Sequence, residues 1–244
     1  MAKINQPKIA GELLYGAHAI IEMLKAKKRK LISIYTTKVL PKSWDRIAPY
    51  LPKQVPNIQY VSRDILDRMT GTTEHNSLVA WVTPFKYATK IFEPAKKPVV
   101  LVLDSLHDVR NLGAILRSAY CTGVDGIVLC KSNAASLTPA AFKASAGLAE
   151  HLDIYQAASL KQAITDLKKV GYSFYMAVLD GKNATEVEYK KPLCIVIGNE
   201  ATGITSEVRK LGEAITLPQR TPEISYNASV AAGILMFLVS QKVK

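Results

Sequence analysis

The sequence predicts an α/β protein of two domains, on the strength of three observations. Four apolar runs of strand length alternate with helical segments in the C-terminal part of the chain. Residues 85–98 contain two prolines, Pro94 and Pro98, and show no amphipathic period, which is typical of a linker. The part before this linker holds most of the positive charge. We therefore expect a small α/β domain at 1–84 and a larger domain with a parallel sheet at 98–244.

The composition favours a globular protein with a polyanionic partner. The chain has 244 residues, and 48% of them are apolar, which is enough for a packed core. It carries 32 Lys and Arg against 20 Asp and Glu, a net charge of +12. Residues 1–97 contribute 17 basic and 7 acidic side chains, a net of +10. The N-terminal part is thus expected to meet RNA, DNA or an acidic membrane surface.

Two elements can be placed in the N-terminal domain. Residues 16–24 have apolar side chains at helical spacing, and residues 31–36 alternate as a strand does. A basic run lies between them, and it has two interpretations. It is either a solvated helix end, which the helix dipole favours, or a contact for RNA phosphates. The basic residues of this run are Lys25, Lys27, Lys28, Arg29 and Lys30.

The C-terminal domain alternates between strands and helices. Its apolar runs are typical of parallel strands that are covered on both faces. Asp108 and Ser159 precede two of the helices and are suitable N-caps. The predicted strands are 99–103, 126–130, 172–179 and 193–197, and the predicted helices are 111–120, 139–147, 160–170 and 227–241.

The cysteines and the termini favour a cytoplasmic protein. Cys121, Cys130 and Cys194 are too few for a disulfide framework and lack the spacing of a zinc site, so we expect three small buried side chains. No secretory signal begins the sequence. The longest apolar stretch, 228–239, is shorter than the roughly 20 residues that span a bilayer, which favours a buried helix.

The segment from Asn111 to Arg117 is the first that carries chemistry. It follows a predicted strand and opens a helix, where free backbone N–H groups can hold an anion or a polar ligand. Alternatively, Asn111 only caps the helix and Arg117 only pairs with a carboxylate. The turn lacks the Gly-x-Gly-x-x-Gly pattern, which disfavours a domain that binds NAD.

Two later segments add candidate ligand-binding groups. Residues 198–203, Gly-Asn-Glu-Ala-Thr-Gly, follow the strand at 193–197, where open α/β sheets commonly bind ligands. A tight turn with a solvated Glu200 is the alternative. Ser225 and Asn227 lie where a loop enters the apolar C-terminal helix, and capping explains part of their presence.

In their order and spacing these three segments resemble the SpoU branch of the SPOUT methyltransferases, which methylate ribose 2′-hydroxyls of structural RNA. Residues 15–19 and 73–80 resemble the L30e-like substrate-binding domain of that family. The resemblance implies a SPOUT domain with a deep trefoil knot at 98–244, a homodimer with active sites at the subunit interface, and S-adenosyl-L-methionine as the cofactor, without a metal. The group with the greatest similarity methylates a guanosine of 23S rRNA.

The resemblance also implies roles for particular residues. Arg117 would stabilise the 2′-oxygen as it attacks, and the other catalytic residues would orient Arg117, the ribose or a phosphate. The implied catalytic residues are Asn111, Arg117, Glu200, Ser225 and Asn227, and the implied cofactor-binding residues are Leu179, Gly198, Leu217 and Tyr226.

Two alternatives stay open. In the first, the chain is a methyltransferase whose target is a tRNA nucleotide or an rRNA adenosine. In the second, it is a non-catalytic RNA-binding protein of ribosome assembly. The second alternative depends on Gln219, Thr221 and Tyr226, where the cofactor loop departs from the usual family pattern.

Overall fold

A computed structural model describes residues 10–54, 57–131, 135–199, 202–221 and 225–243. The chain forms two compact units. The first contains the described residues up to Lys86 together with Pro139–His151, and the second contains Tyr87–Thr138 and the residues from Leu152 onward. Segment 139–151 therefore packs with the N-terminal unit, although it lies within the sequence of the C-terminal one.

The first unit is a four-stranded sheet with helices. Its elements are β1 (Glu12–Tyr15), α1 (Ala17–Ala26), β2 (Leu31–Thr36), α2 (Trp44–Ile47), β3 (Asn57–Tyr60), α3 (Arg63–Thr70), β4 (Leu78–Val82) and α5 (Pro139–Ala144), with short 3₁₀ helices at Ala48–Tyr50 and Leu148–His151. The sheet has the order β1-β4-β2-β3. Strand β4 is antiparallel to both β1 and β2, whereas β3 is parallel to β2. The predicted helix at 16–24 and strand at 31–36 are confirmed.

Arg29 connects segment 139–151 to the rest of the first unit through its hydrogen bonds. Its guanidinium donates to Glu150 Oε1 at 2.9 Å and to Glu12 Oε2 at 2.7 Å, and its Nε donates to the carbonyl of Thr83 at 2.7 Å. The side chains of Arg29 and Glu150 have no exposed surface. The prediction that Arg29 contacts RNA is therefore wrong, because a buried guanidinium with these acceptors cannot reach a phosphate.

The second unit is a six-stranded, parallel sheet with the order β10-β8-β9-β5-β6-β7. Strands β5, β6 and β9 are buried at every residue, as their continuous apolar sequences predict. Its elements are β5 (Val99–Leu103), α4 (Val109–Thr122), β6 (Gly126–Cys130), β7 (Ile154–Ala157), α6 (Leu160–Lys169), β8 (Ser173–Asn183), β9 (Leu193–Ile197), α7 (Ser206–Arg209), β10 (Glu213–Thr216) and α8 (Ala228–Lys242).

Local signals account for the helix ends that the sequence predicts. The Asp108 carboxylate accepts from the Arg110 N–H at 2.7 Å, and Ser159 Oγ accepts from the Gln162 N–H at 3.2 Å. Both side chains satisfy N–H groups that a helix start leaves without a partner. Helix α5 ends at Ala144, earlier than the predicted 147.

Two of the three cysteines are buried as expected. Burial raises the pKa of the Cys130 thiol to about 12 and that of Cys194 well above its ordinary value. Cys121 is exposed on α4, so that prediction is wrong for this residue. Within the described ranges, no helix is long and apolar enough to cross a membrane.

Candidate active site

A cleft of about 740 Å³ opens at the carboxyl ends of β8 and β9. Its walls also include residues after β10 and the first two turns of α8. Ligands of open α/β sheets commonly bind at this edge. Seven of the nine catalytic and cofactor-binding residues that the resemblance implies line the cleft. They are Asn111, Leu179, Gly198, Leu217, Ser225, Tyr226 and Asn227.

Two asparagines connect the helix starts that border the cleft. Asn227 is the N-cap of α8, and its Oδ1 accepts from the Ser229 N–H at 2.9 Å and from Ser229 Oγ at 2.7 Å. Its Nδ2 donates to Asn111 Oδ1, on the first turn of α4, at 3.2 Å. The amide oxygen of Asn227 therefore caps α8, whereas its amide nitrogen fixes the orientation of the Asn111 side chain.

The described residues that follow β9, at 198–199 and 202–204, also line the cleft. The N–H groups of Asn199 and Gly203 donate to each other's carbonyls, at 3.2 and 2.9 Å, and Gly203 has a φ of 64°. A Cβ on Gly198 would lie 2.6 Å from the carbonyl carbon of Gly203. Glycine is thus required at 203 for its conformation and at 198 for space.

Another part of the cleft wall consists of residues 177–180 of β8 together with Leu217, Gln219, Ser225 and Tyr226. Tyr226 Oη donates to the Pro218 carbonyl at 3.2 Å, and Thr216 Oγ1 donates to the Leu179 carbonyl at 3.0 Å. The side chains of Leu179 and Tyr226 remain largely in solvent, with residue exposures of 62% and 43%. The wall therefore offers apolar surface to a ligand.

The sequence-based interpretation missed an ion pair at the cleft. Arg209 Nη1 lies 2.7 Å from Asp180 Oδ1, and the hydrogen bond from Arg209 lowers the pKa of this carboxyl. Both residues line the cleft. Asp180 directly follows a predicted strand, and that position is the signal that could have drawn attention to it.

Two predicted catalytic residues are not among the described residues that line the cleft. Arg117 is exposed on α4, but it is not among the residues that line the cleft. It lies six residues after Asn111, which places it about 120° around the helix axis. Glu200 lies outside the described residues. No group of three or more His, Cys, Asp or Glu in the described ranges is placed to hold a metal ion.

The lysines of the basic run belong to the first unit, and all four are exposed. Lys25 Nζ lies 2.8 Å from Glu22 Oε1 and 5.1 Å from the centre of the Tyr50 ring. Lys28 Nζ donates to the His151 carbonyl at 3.1 Å. Part of this run is therefore engaged in contacts within its own unit.

Comparison with protein families finds two matches along the chain. The model of the SpoU rRNA Methylase family matches residues 98–237. The model of the RNA 2′-O ribose methyltransferase substrate binding domain matches residues 13–88. Together these two matches cover both units.

Similar proteins are known in several bacteria. YacO of Bacillus subtilis, named for the TrmH family of tRNA/rRNA methyltransferases, is 34% identical over 242 residues, which are 95% of this chain and 96% of YacO. A protein of Staphylococcus aureus with the same family name is 35% identical over 195 residues, 76% of this chain and 77% of that protein.

Solved structures share the fold. An RNA 2′-O ribose methyltransferase superposes with a TM-score of 0.82 at 20% identity, over 94% of this chain and 88% of that one. The SpoU methyltransferase AviRb of Streptomyces viridochromogenes, in complex with the cofactor AdoMet, has a TM-score of 0.78 at 18% identity, over 95% of this chain and 90% of its own.

Proposed function

We propose, because the chain belongs to the SpoU family of RNA methyltransferases, that it transfers the methyl group of S-adenosyl-L-methionine to the ribose 2′-hydroxyl of a guanosine in 23S rRNA. The observation that supports this most directly is the cleft at the carboxyl ends of β8 and β9. It collects seven residues that are far apart in sequence and that the family pattern assigns to one site.

The cleft fits the proposed cofactor in size and in surface. Its volume lies within the roughly 300–1,000 Å³ of small-molecule sites. Leu179 and Tyr226 offer exposed apolar surface to an adenosyl group, and the backbone near Gly198 is open to close approach. Asp180, which also lines the cleft, offers a carboxylate that Arg209 holds in place. The cofactor supplies a methyl group on a positively charged sulfur. This sulfur is a good leaving group when the methyl group is transferred.

The side chains of the cleft would align the ribose hydroxyl. Asn111, held by Asn227, has an oriented amide that can hydrogen-bond to ribose or phosphate. Arg117 carries a permanent positive charge, which makes stabilisation of the developing alkoxide its suitable role. Ser225 at the cleft mouth is suited to a phosphate contact, and Glu200 would orient Arg117 or Asn111.

A homodimer would bring Arg117 to a cleft. Arg117 shares an exposed face of α4 with Tyr120 and Cys121, and Tyr120 is 43% exposed. Helix α8, which packs on α4, has exposed Val230, Ile234 and Phe237. This i, i+4, i+7 stripe is apolar surface that a second subunit would bury. In our proposal Arg117 of one subunit completes the cleft of the other.

The roles of the remaining parts of the chain are proposed from the arrangement of domains in the family. Residues 1–84 would bind the RNA substrate, with phosphate contacts from Lys25, Lys27, Lys28 and Lys30, and residues 85–97 would link this domain to the catalytic one at 98–244. The C-terminal strands and α8 would form the deep trefoil knot. The protein would work in the cytoplasm.

Transfer of tritium from labelled S-adenosyl-L-methionine to RNA tests the proposal. We expect label in unmodified 23S rRNA, and at least a 100-fold lower rate for Arg117→Ala, since an oriented charge at a developing oxyanion contributes about 10²–10³ in rate. Arg68→Ala removes an exposed arginine of α3 and should leave the rate unchanged.

Four outcomes would contradict the proposal. Label only in tRNA would replace the rRNA substrate, and label on an adenosine would replace the guanosine. No label in either RNA, together with no heat on titration of the cofactor, would favour a non-catalytic RNA-binding protein. Full activity of Arg117→Ala would remove Arg117 from the mechanism.

A further inference from the structure

Three strands of the first unit end at the same edge of its sheet. Strands β1, β2 and β3 are parallel to one another, because β4 is antiparallel to β1 and β2 while β3 is parallel to β2. Thr36, the last residue of β2, is the register partner of Tyr60, the last residue of β3. The Val61 N–H donates to the Thr36 carbonyl at 2.8 Å. The loop at 37–43 therefore begins beside Tyr60.

This loop presents apolar side chains to solvent. Thr37 Oγ1 donates to the Val39 carbonyl at 2.6 Å, and the Trp44 N–H donates to the Pro41 carbonyl at 2.7 Å, so the loop folds back on itself. Val39 is 86% exposed, Leu40 43% and Tyr60 52%. Single exposed apolar residues are ordinary, but three of them in and beside one loop make this sheet edge a candidate binding surface.

The charge around this surface is strongly positive. Residues 36–63 contain five basic side chains and a single acidic one, Asp45. Lys38 and Lys42 flank the apolar loop residues, Arg63 follows Tyr60 by three positions, and all three are exposed. The positive charge continues towards α1, where Arg46 Nη2 lies 2.7 Å from His18 Nε2.

Exposed apolar and aromatic side chains among cations fit one kind of partner in particular. Unpaired nucleotides offer flat, apolar base faces for stacking, and their phosphates carry the complementary charge. A paired duplex exposes phosphates but hides its base faces. The basic run at 25–30 has an exposed aromatic ring beside it, Tyr50, but Lys25 already lies over that ring, and Arg29 of the run is buried.

We propose that the loop 37–43 and Tyr60 form a stacking platform for unpaired nucleotides of the RNA substrate, with Lys38, Lys42 and Arg63 contacting the flanking phosphates. The inference rests on the proposed function, which makes RNA the substrate. It adds the feature of the RNA that the first unit recognises, namely unpaired bases rather than helical shape alone.

Binding assays with two probes test the platform. The probes are in vitro transcribed 23S rRNA and a fully paired RNA duplex, titrated with the full chain. For Val39→Ser/Tyr60→Ser we expect about tenfold weaker binding to 23S rRNA, since stacking on a side chain typically contributes severalfold to a hundredfold per base. Binding to the duplex should change less than twofold. Val39→Tyr, which enlarges the stacking surface, should bind 23S rRNA at least as tightly as the wild type.

The charged residues should act differently from the apolar ones. Lys38→Gln/Lys42→Gln should reduce the dependence of log K on log salt by about 1.4, the value for two single-strand phosphates. Val39→Ser/Tyr60→Ser should leave that slope unchanged. The matched controls are Val170→Ser and Lys168→Gln/Lys169→Gln, which alter exposed residues at the end of α6 in the other unit.

Three results would overturn the platform. The first is wild-type affinity of Val39→Ser/Tyr60→Ser for 23S rRNA. The second is an equal loss on the duplex, and the third is loss of self-association instead of RNA binding, which would assign the surface to a protein contact. The two proposals can fail separately, because the platform is tested by RNA binding and the proposed function by methyl transfer. If Val39→Ser/Tyr60→Ser binds as the wild type does while the wild type methylates RNA, only the platform is wrong. If the wild type transfers no methyl group while Val39→Ser/Tyr60→Ser still binds 23S rRNA more weakly, only the proposed function is wrong.

Discussion

At the residue scale, Gly198 makes the most specific prediction. A Cβ at this position would lie 2.6 Å from the backbone of Gly203 and 2.7 Å from Ile204, and backbone atoms cannot move aside cheaply. Gly198→Ala should therefore displace Gly203 and Ile204 and weaken cofactor binding by about tenfold or more. Calorimetric titration with S-adenosyl-L-methionine measures this loss.

Gly233→Ala is the control for this change. Gly233 lies within α8, and a Cβ at this position would lie 3.6 Å from Ser118 Oγ, which is an ordinary contact. Alanine is also the better helix former, so cofactor affinity should stay at the wild-type value. Equal affinities of Gly198→Ala and the wild type would place the cofactor elsewhere in the molecule.

At the scale of elements, the 3₁₀ helix Leu148–His151 gives a prediction about pH. Burial raises the pKa of Glu150 from 4.5 to about 7, despite the hydrogen bond from Arg29. Between these values the folded state binds a proton that the unfolded state has lost. The free energy of unfolding should therefore fall as pH rises from about 4.5 to about 7, by at most about 3 kcal/mol from this group.

Urea unfolding at pH 5 and pH 8 measures this contribution. Both tryptophans, Trp44 and Trp81, belong to the first unit, so their fluorescence follows the unit that contains Glu150. Glu150→Gln should lose less stability between the two pH values than the wild type does. Glu74→Gln, which alters an exposed acid of the same unit, should behave as the wild type. Parallel pH profiles for Glu150→Gln and the wild type would contradict the prediction.

At the scale of the whole molecule, the proposed dimer predicts that two defective variants restore each other. Arg117→Ala would lack the charge, and Gly198→Ala would leave its cofactor site largely empty when the cofactor concentration is well below the Kd of that variant. A dimer with one subunit of each kind would contain one complete site. Random pairing on co-expression should thus recover about a quarter of the wild-type activity, because half of the dimers have one of two sites intact.

The assay is tritium transfer with each variant alone and with the co-expressed mixture. Ultracentrifugation should show a dimer for the wild type and a monomer for Phe237→Asp, which places a charge in the exposed stripe of α8. Dimers of the mixture that remain inactive would show that each cleft uses the Arg117 of its own subunit.

The sequence by itself determined the elements whose signals are local. Strands β5, β6 and β9 were predictable because fully buried parallel strands need continuous apolar residues. Helix α1 was predictable from its apolar period, and α4 and α6 also from the N-caps Asp108 and Ser159 directly before them. The family and seven of the residues that line the cleft were also predictable, because the three motifs keep their order and spacing along the chain. Short strands such as β7 and β10, with only four residues each, carry too little pattern to be found.

Only the tertiary structure decided which side chains meet. Arg29 has the same local sequence signal as the lysines beside it, yet it is buried because Glu12 and Glu150 approach it from distant positions. Segment 139–151 follows β6 in sequence but packs on the first unit. The pairs Asn111–Asn227 and Asp180–Arg209 likewise depend on contacts across the fold. Apolar periodicity reports how one segment meets the core, whereas these contacts depend on where the rest of the chain lies.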